Sequence, residues 1–112
     1  MTMSSLEVSV AAFAEEVGDT DPVTVTGLAT RGGSVAGVRT VNAPSGIGWI
    51  QPAEMTVCCG ARTPIADVRA GLAEHGQCVA LPYGGTIGGA LAVGHSGIRR
   101  LGWGPARDTV LQ

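Results

Sequence analysis

Two apolar segments of strand character each run directly into a cluster of glycines, and this junction, made twice, constrains the fold more than any other feature. Val23 and Val25 alternate with Thr24 and Thr26 and lead into Gly27-Leu28-Ala29-Thr30-Arg31-Gly32-Gly33. Alternation of this kind reads as a half-buried strand, and the glycines after it permit the positive φ angles of a tight turn. Cys78 to Leu81 has the character of another short strand. It leads into Pro82-Tyr83-Gly84-Gly85-Thr86-Ile87-Gly88-Gly89, after which Ala90 to Val93 can wind one helical turn. Such loops let successive N–H groups converge on an anion, and a following helix adds a positive partial charge. Neither cluster has the spacing GxGxxG or GxxxxGK followed by Ser or Thr, which disfavours an ordinary nicotinamide Rossmann site and a P-loop. Taken alone, a glycine cluster is more often plain turn geometry.

The remaining segments alternate helix and strand. Ser4 and Glu7 have capping-box spacing, and Leu6, Val10, Phe13, Ala14 and Val17 share one helical face until Gly18 closes the helix. Val38 to Val41 reads as a strand, residues 42–46 as a turn, and Ile47 to Ala61 as two short strands broken near Gln51-Pro52. The second of these, Met55-Thr56-Val57-Cys58, alternates cleanly. Thr63-Pro64 starts a helix with Ile65, Val68 and Leu72 as its apolar stripe and Gly76 just past its end. Thr109 to Gln112 again has strand character. The expected fold is α/β in the broad sense (α+β), a small mixed sheet with flanking helices in one unit, residues 1–20 forming an N-terminal helix and residues 21–112 the rest.

Composition narrows the function. Aromatics are only 4% of the chain, namely Phe13, Trp49, Tyr83 and Trp103, so a core must come from Val, Ala, Ile and Leu. A chain of 112 residues can build only a modest one. The net charge of −2 and the lack of a broad basic face with stacking aromatics argue against nucleic acid. Arg99, Arg100 and Arg107 collect near the end, where a few arginines suit a phosphate ester. The three cysteines have no CxxC spacing, and the adjacent Cys58 and Cys59 point to opposite faces of a strand, which makes a disulfide framework unlikely on geometric grounds. No apolar stretch reaches the length of a membrane span, and the glutamate-bearing start is unlike a signal peptide, so a cytoplasmic location is expected.

The order of residues from Gln51 onward, QPAEMTVCCGARTPIADVRAGLAEHGQCVALP followed by TIGGALAVGHSGIRRLGWGPARDTVLQ, resembles the FAD-binding domain of the vanillyl-alcohol oxidase and p-cresol methylhydroxylase (PCMH-type) flavoproteins. Within that family it is most similar to the FAD-linked subunit of glycolate oxidase. The resemblance covers residues 21–112 and rests on several spaced motifs in one order: the AEMTV strand, the LAEHGQ helix end, TIGG, and the arginines before RDTVL. It implies the N-terminal subdomain of a PCMH-type FAD-binding domain, truncated, in a flavin-dependent oxidoreductase acting on a 2-hydroxy acid such as glycolate. It also implies that the loop with Gly27, Thr30, Gly32 and Gly33, and the loop with Thr86, Ile87, Gly88 and Gly89, wrap the cofactor's pyrophosphate with backbone amides. By the same likeness Pro82 and His95-Ser96-Gly97 line the cofactor, while Arg99, Arg100, Gly104 and Asp108 shape the following loop and strand. Many relatives attach FAD to a histidine of the first loop; here Arg31-Gly32-Gly33-Ser34 stands in its place, and non-covalent FAD is expected. The first loop and the run from Pro82 to Thr86 are shorter than the family's, and the family's substrate domain is expected to come from outside residues 1–112. The chain is therefore expected to be inactive alone and to work with a complementing oxidoreductase chain or subunit.

No Ser/His/Asp, Cys/His or paired-carboxylate set is legible, so no catalytic residue is assigned, and His75 and His95 lack metal-ligand spacing. His75 suits the dipole at a helix end, Cys58 and Cys59 suit strand packing, and Trp49 and Trp103 suit burial. The rival reading is a truncated or partner-dependent module without independent activity, and a weaker one is a general nucleotide-binding module.

Overall fold

The structure, a computed structural model, describes residues 5–30, 32–94, 102 and 106–111, apart from the Arg107 side chain. The fold is α+β. Among the described residues there are three α-helices and two small sheets, and the parallel and antiparallel pairings sit in separate two-stranded sheets.

Helix α1 spans Ser5–Val17 and stops where the sequence places the stop. Gly18 turns left-handed at φ 66° and donates to Ala14 O at 3.1 Å, a single-bond glycine closure. Leu6, Phe13 and Val17 are half-buried, whereas Val10 and Ala14 are exposed, so the buried stripe is narrower than the periodicity suggests. Ser4, the expected capping residue, lies outside the described residues.

Strand β1, Val23–Thr26, pairs in parallel with β2, Arg39–Asn42, in the register Val23 to Arg39 through Thr26 to Asn42. The glycine-bearing segment 27–38 joins them without a helix, and its length is on the order of the dozen residues that a parallel crossover needs. Arg39 reaches from β2 to the end of α1 and donates to Glu16 O at 2.6 Å and Val17 O at 3.0 Å. Those carbonyls have no partner inside the helix, and a guanidinium there suits the negative end of the dipole.

Strands β3, Ile47–Gln51, and β4, Thr56–Cys59, form an antiparallel hairpin with an irregularity between Ile47 and Trp49. A 3-10 turn, Pro52–Glu54, interrupts the run where Gln51-Pro52 predicted a break. Met55 takes φ 54° at the end of that turn, so the strand begins one residue later than its alternation predicts. A β-carbon at Gly48 would stand 3.2 Å from Leu6 Cδ2, and the missing side chain lets α1 lie against this hairpin.

Helix α2, Ile65–Ala73, buries Ile65, Val68 and Leu72, the stripe read from the sequence. Gly71 costs helix propensity of about 1 kcal/mol against alanine. Its β-carbon would stand 3.2 Å from Ile50 Cδ1 and 3.3 Å from Ile47 Cδ1, which ties the glycine to the close seat of α2 on β3. Gly76, at φ 68°, donates to Ala73 O, and Gln77 N donates to Leu72 O, each at 3.0 Å. That pair of bonds is the Schellman closure of a helix end. Helix α3, Ile87–Val93, ends at Gly94 in the left-handed region, φ 70°.

The core gathers Ile65, Leu81, Ala90 and Ala106, with Val79, Ile87 and Leu91 packed against it. Three expectations fail here. Cys78 to Leu81 is not a strand: the segment is irregular, and Val79 and Leu81 enter the core as side chains, with no ladder partner for their backbone among the described residues. Thr109 to Gln112 is not a strand over its described part. A 3-10 turn, Ala106–Thr109, occupies this end, and Leu111 is 82% exposed. Helix α3 begins at Ile87 rather than Ala90, because Thr86 caps it three residues earlier.

Candidate functional site

The two glycine segments meet at one point. A β-carbon at Gly27, just past β1, would lie 3.0 Å from Thr86 Oγ1 and 3.3 Å from Thr86 Cγ2. Only a residue without a side chain fits that approach unstrained. The C-terminal end of the parallel pair thus stands against the N-cap of α3. The Thr26 hydroxyl donates to Asn42 Oδ1 at the same end, tying β1 to β2 there.

Thr86 is 4% exposed. Its hydroxyl accepts from Gly89 N at 3.1 Å, the arrangement of a threonine N-cap. The neighbouring amides are also engaged: Ile87 N donates to Thr63 O at 3.0 Å, Gly88 N to Ala61 O at 2.7 Å, and Ala90 N to Thr86 O at 3.1 Å. A β-carbon at Gly88 would stand 2.8 Å from Ala61 Cβ, so this glycine seats α3 on the turn before α2. The amides at positions 87–89 hold the fold together and are committed inside the chain.

Elsewhere in the two segments some glycines have room beside them. Gly32, at φ 130°, and Gly33 would carry a β-carbon into empty space, and so would Gly84 at φ 85°. Thr30 is exposed, and Ala29 holds the left-handed φ of 57°, a conformation that costs a non-glycine residue energy. Pro82 is half-buried and Gly85 is buried with its carbonyl accepting from Ile65 N at 2.9 Å. His95, Ser96 and Gly97 lie outside the described residues, as do Arg31, Arg99, Arg100, Trp103 and Gly104.

Two features escaped the sequence. Thr63, 1% exposed, accepts from Gly46 N at 3.0 Å and donates to Gly46 O at 3.2 Å, while its own carbonyl holds Ile87 N. With Gly60 N on Gly46 O and Arg62 N on Pro44 O, it sews the loop before β3 to the turn after β4. Threonine before proline signals a helix start, and nothing local signals a bond to a glycine so distant in sequence. The second feature is Tyr83, whose ring carries the Arg69 guanidinium 3.9 Å from its centroid. Trp49, expected in the core, is 47% exposed on the hairpin.

Cys58 and Cys59 are half-buried free thiols on β4. Burial, and then the neighbouring Cys58, push the Cys59 thiol up, against a lowering hydrogen bond with Thr63. Among the described residues no group of His, Cys, Asp and Glu could hold a metal ion. No helix of the described residues is long and apolar enough to cross a membrane. In comparisons with protein families, with curated proteins and with solved structures, nothing matches the chain.

Proposed function

We propose that this chain is the FAD-binding portion of a flavin-dependent oxidoreductase, oxidising a 2-hydroxy acid such as glycolate in company with a complementing chain. The observation that carries the reading is the meeting of the two glycine segments at Gly27 and Thr86, beside the carboxyl end of a parallel strand pair. It agrees with the order of motifs that resembles PCMH-type flavoproteins. FAD, held non-covalently, would supply the hydride acceptor, and the chain would supply position and backbone dipoles. Gly32, Gly33 and the turn from Pro82 to Gly85 would approach the pyrophosphate. No residue of this chain is assigned to the chemical step. Titration of the protein into FAD, followed by quenching of flavin fluorescence, tests the reading: saturable binding supports it, and an unchanged signal at high protein concentration overturns it.

A second reading, a module that folds fully only against a partner, is favoured by exposure. Val25, Leu28, Val35 and Trp49 all lie more than two fifths exposed. Isolated two-stranded sheets are marginal in water. Sedimentation that shows association rising with concentration supports this reading, and a stable monomer at all concentrations counts against it.

A further inference from the structure

The turn between Leu81 and Thr86 carries an aromatic ring in an unusual setting. Tyr83 is 64% exposed although tyrosine rings are mostly covered. One face is occupied, because the Arg69 guanidinium lies over it at 3.9 Å from the centroid. Arg69 takes one face, and the residue as a whole stays mostly exposed.

The ring is held in place from below. Ile65 N donates to Gly85 O at 2.9 Å, which pins the turn to the first turn of α2. Arg69 follows Ile65 by four residues and so lies on the same helical face, directed at the same turn. Gly84 and Gly85 take φ 85° and 75° in succession, a backbone path that side chains would resist. Arg69 Nη1 is buried and has no hydrogen-bond acceptor among the described residues. The Tyr83 ring is the neighbour that the guanidinium stacks on.

From this arrangement we infer that the free face of Tyr83 is a stacking platform for the adenine ring of the bound nucleotide. The inference rests on the FAD reading above and names the part of the cofactor that this turn would grip. A cation on one face withdraws electron density from the tyrosine ring, and an electron-poor ring stacks better on an electron-rich purine than on the electron-poor oxidised isoalloxazine. The two residues after Gly84 then bring the chain to Thr86 and the first glycine loop, the expected side of the pyrophosphate.

The test is to measure dissociation constants of FAD, ADP and FMN for the unaltered protein, Tyr83→Ala and Tyr83→Trp. Loss of a stacked base by alanine substitution weakens binding by about tenfold or more. FAD and ADP should weaken in that range with Tyr83→Ala, FMN should be unaffected, and Tyr83→Trp should keep the binding of both adenine compounds. Tyr83→Ala also uncovers the Arg69 guanidinium and should lower the unligated unfolding midpoint, whereas Tyr83→Trp should keep it, so binding is compared at a temperature where all three proteins are folded. If Tyr83→Ala binds FAD as the unaltered protein does, or if FMN weakens and ADP does not, the adenine platform is wrong while the FAD reading stands. If the unaltered protein binds no FAD, the FAD reading itself falls, and the platform with it.

Discussion

Gly27 and Thr86, far apart in the chain, are packed so closely that a β-carbon on the glycine would stand 3.0 Å from the threonine hydroxyl. That hydroxyl cannot swing away freely, because it accepts from Gly89 N and caps α3. Gly27→Ala should therefore destabilise the fold by about 1–2 kcal/mol, the usual cost of overpacking. Chemical denaturation measures it. Adding Thr86→Ser, which deletes the crowding methyl and keeps the cap, should recover part of the loss; independent, additive effects would show that the two residues do not meet.

Thr63 is the buried hydroxyl that joins two loops through Gly46. Thr63→Val keeps the shape but leaves the Gly46 N–H unpaired, while Gly46 O still accepts from Gly60 N, at a cost of about 1–3 kcal/mol. Thr63→Ser should cost less than half as much. Equilibrium unfolding of both variants checks this, and equal losses would mean that the methyl, not the hydroxyl, matters.

Arg39 closes α1 from a neighbouring strand. Arg39→Ala should remove about 1 kcal/mol and fray the last turn of the helix. Amide exchange at Glu16, Val17 and Gly18 should speed up, while Arg39→Lys, with fewer donors, should fall between. Unchanged exchange in the alanine variant would show that the guanidinium contact is idle.

The Cys59 thiol is pushed above its ordinary 9.0, chiefly by burial. A raised folded-state value means that the folded protein holds this proton more tightly than the unfolded chain does. The stabilisation is complete at neutral pH, below the unfolded value, and is lost as pH climbs through the folded one. Stability should decline above about pH 9, and Cys59→Ala should flatten that decline. Exposed Cys78 should also alkylate well before Cys59 at pH 8. Equal alkylation rates would contradict the burial.

Local signals in the sequence served where the structure is local. Gly18 and Gly76 close helices as their positions suggested, Ile65, Val68 and Leu72 face inward, and the break at Gln51-Pro52 separates β3 from β4. Cys78 to Leu81 failed because alternation reports a buried face and not the presence of a partner strand. The start of α3 was misjudged because two glycines follow Ile87, and a buried threonine cap outweighs their poor propensity. The site was legible as two loops, and their meeting at Gly27 and Thr86 was implied only by the family likeness. The commitment of the amides at 87 and 88 was invisible, since their acceptors, Thr63 O and Ala61 O, come from the turn before α2.

Thermal unfolding with and without FAD tests the proposed function most directly, because a ligand that binds only the folded state must stabilise it. At about a hundredfold excess over the dissociation constant the gain is about 2.7 kcal/mol, a rise of roughly 10–20 °C for a domain of this size. The proposal predicts such a rise with FAD, accompanied by flavin absorbance that stays with the protein through gel filtration. An unshifted midpoint and a colourless protein would contradict FAD binding by this chain alone, and would leave the partner-dependent module as its function.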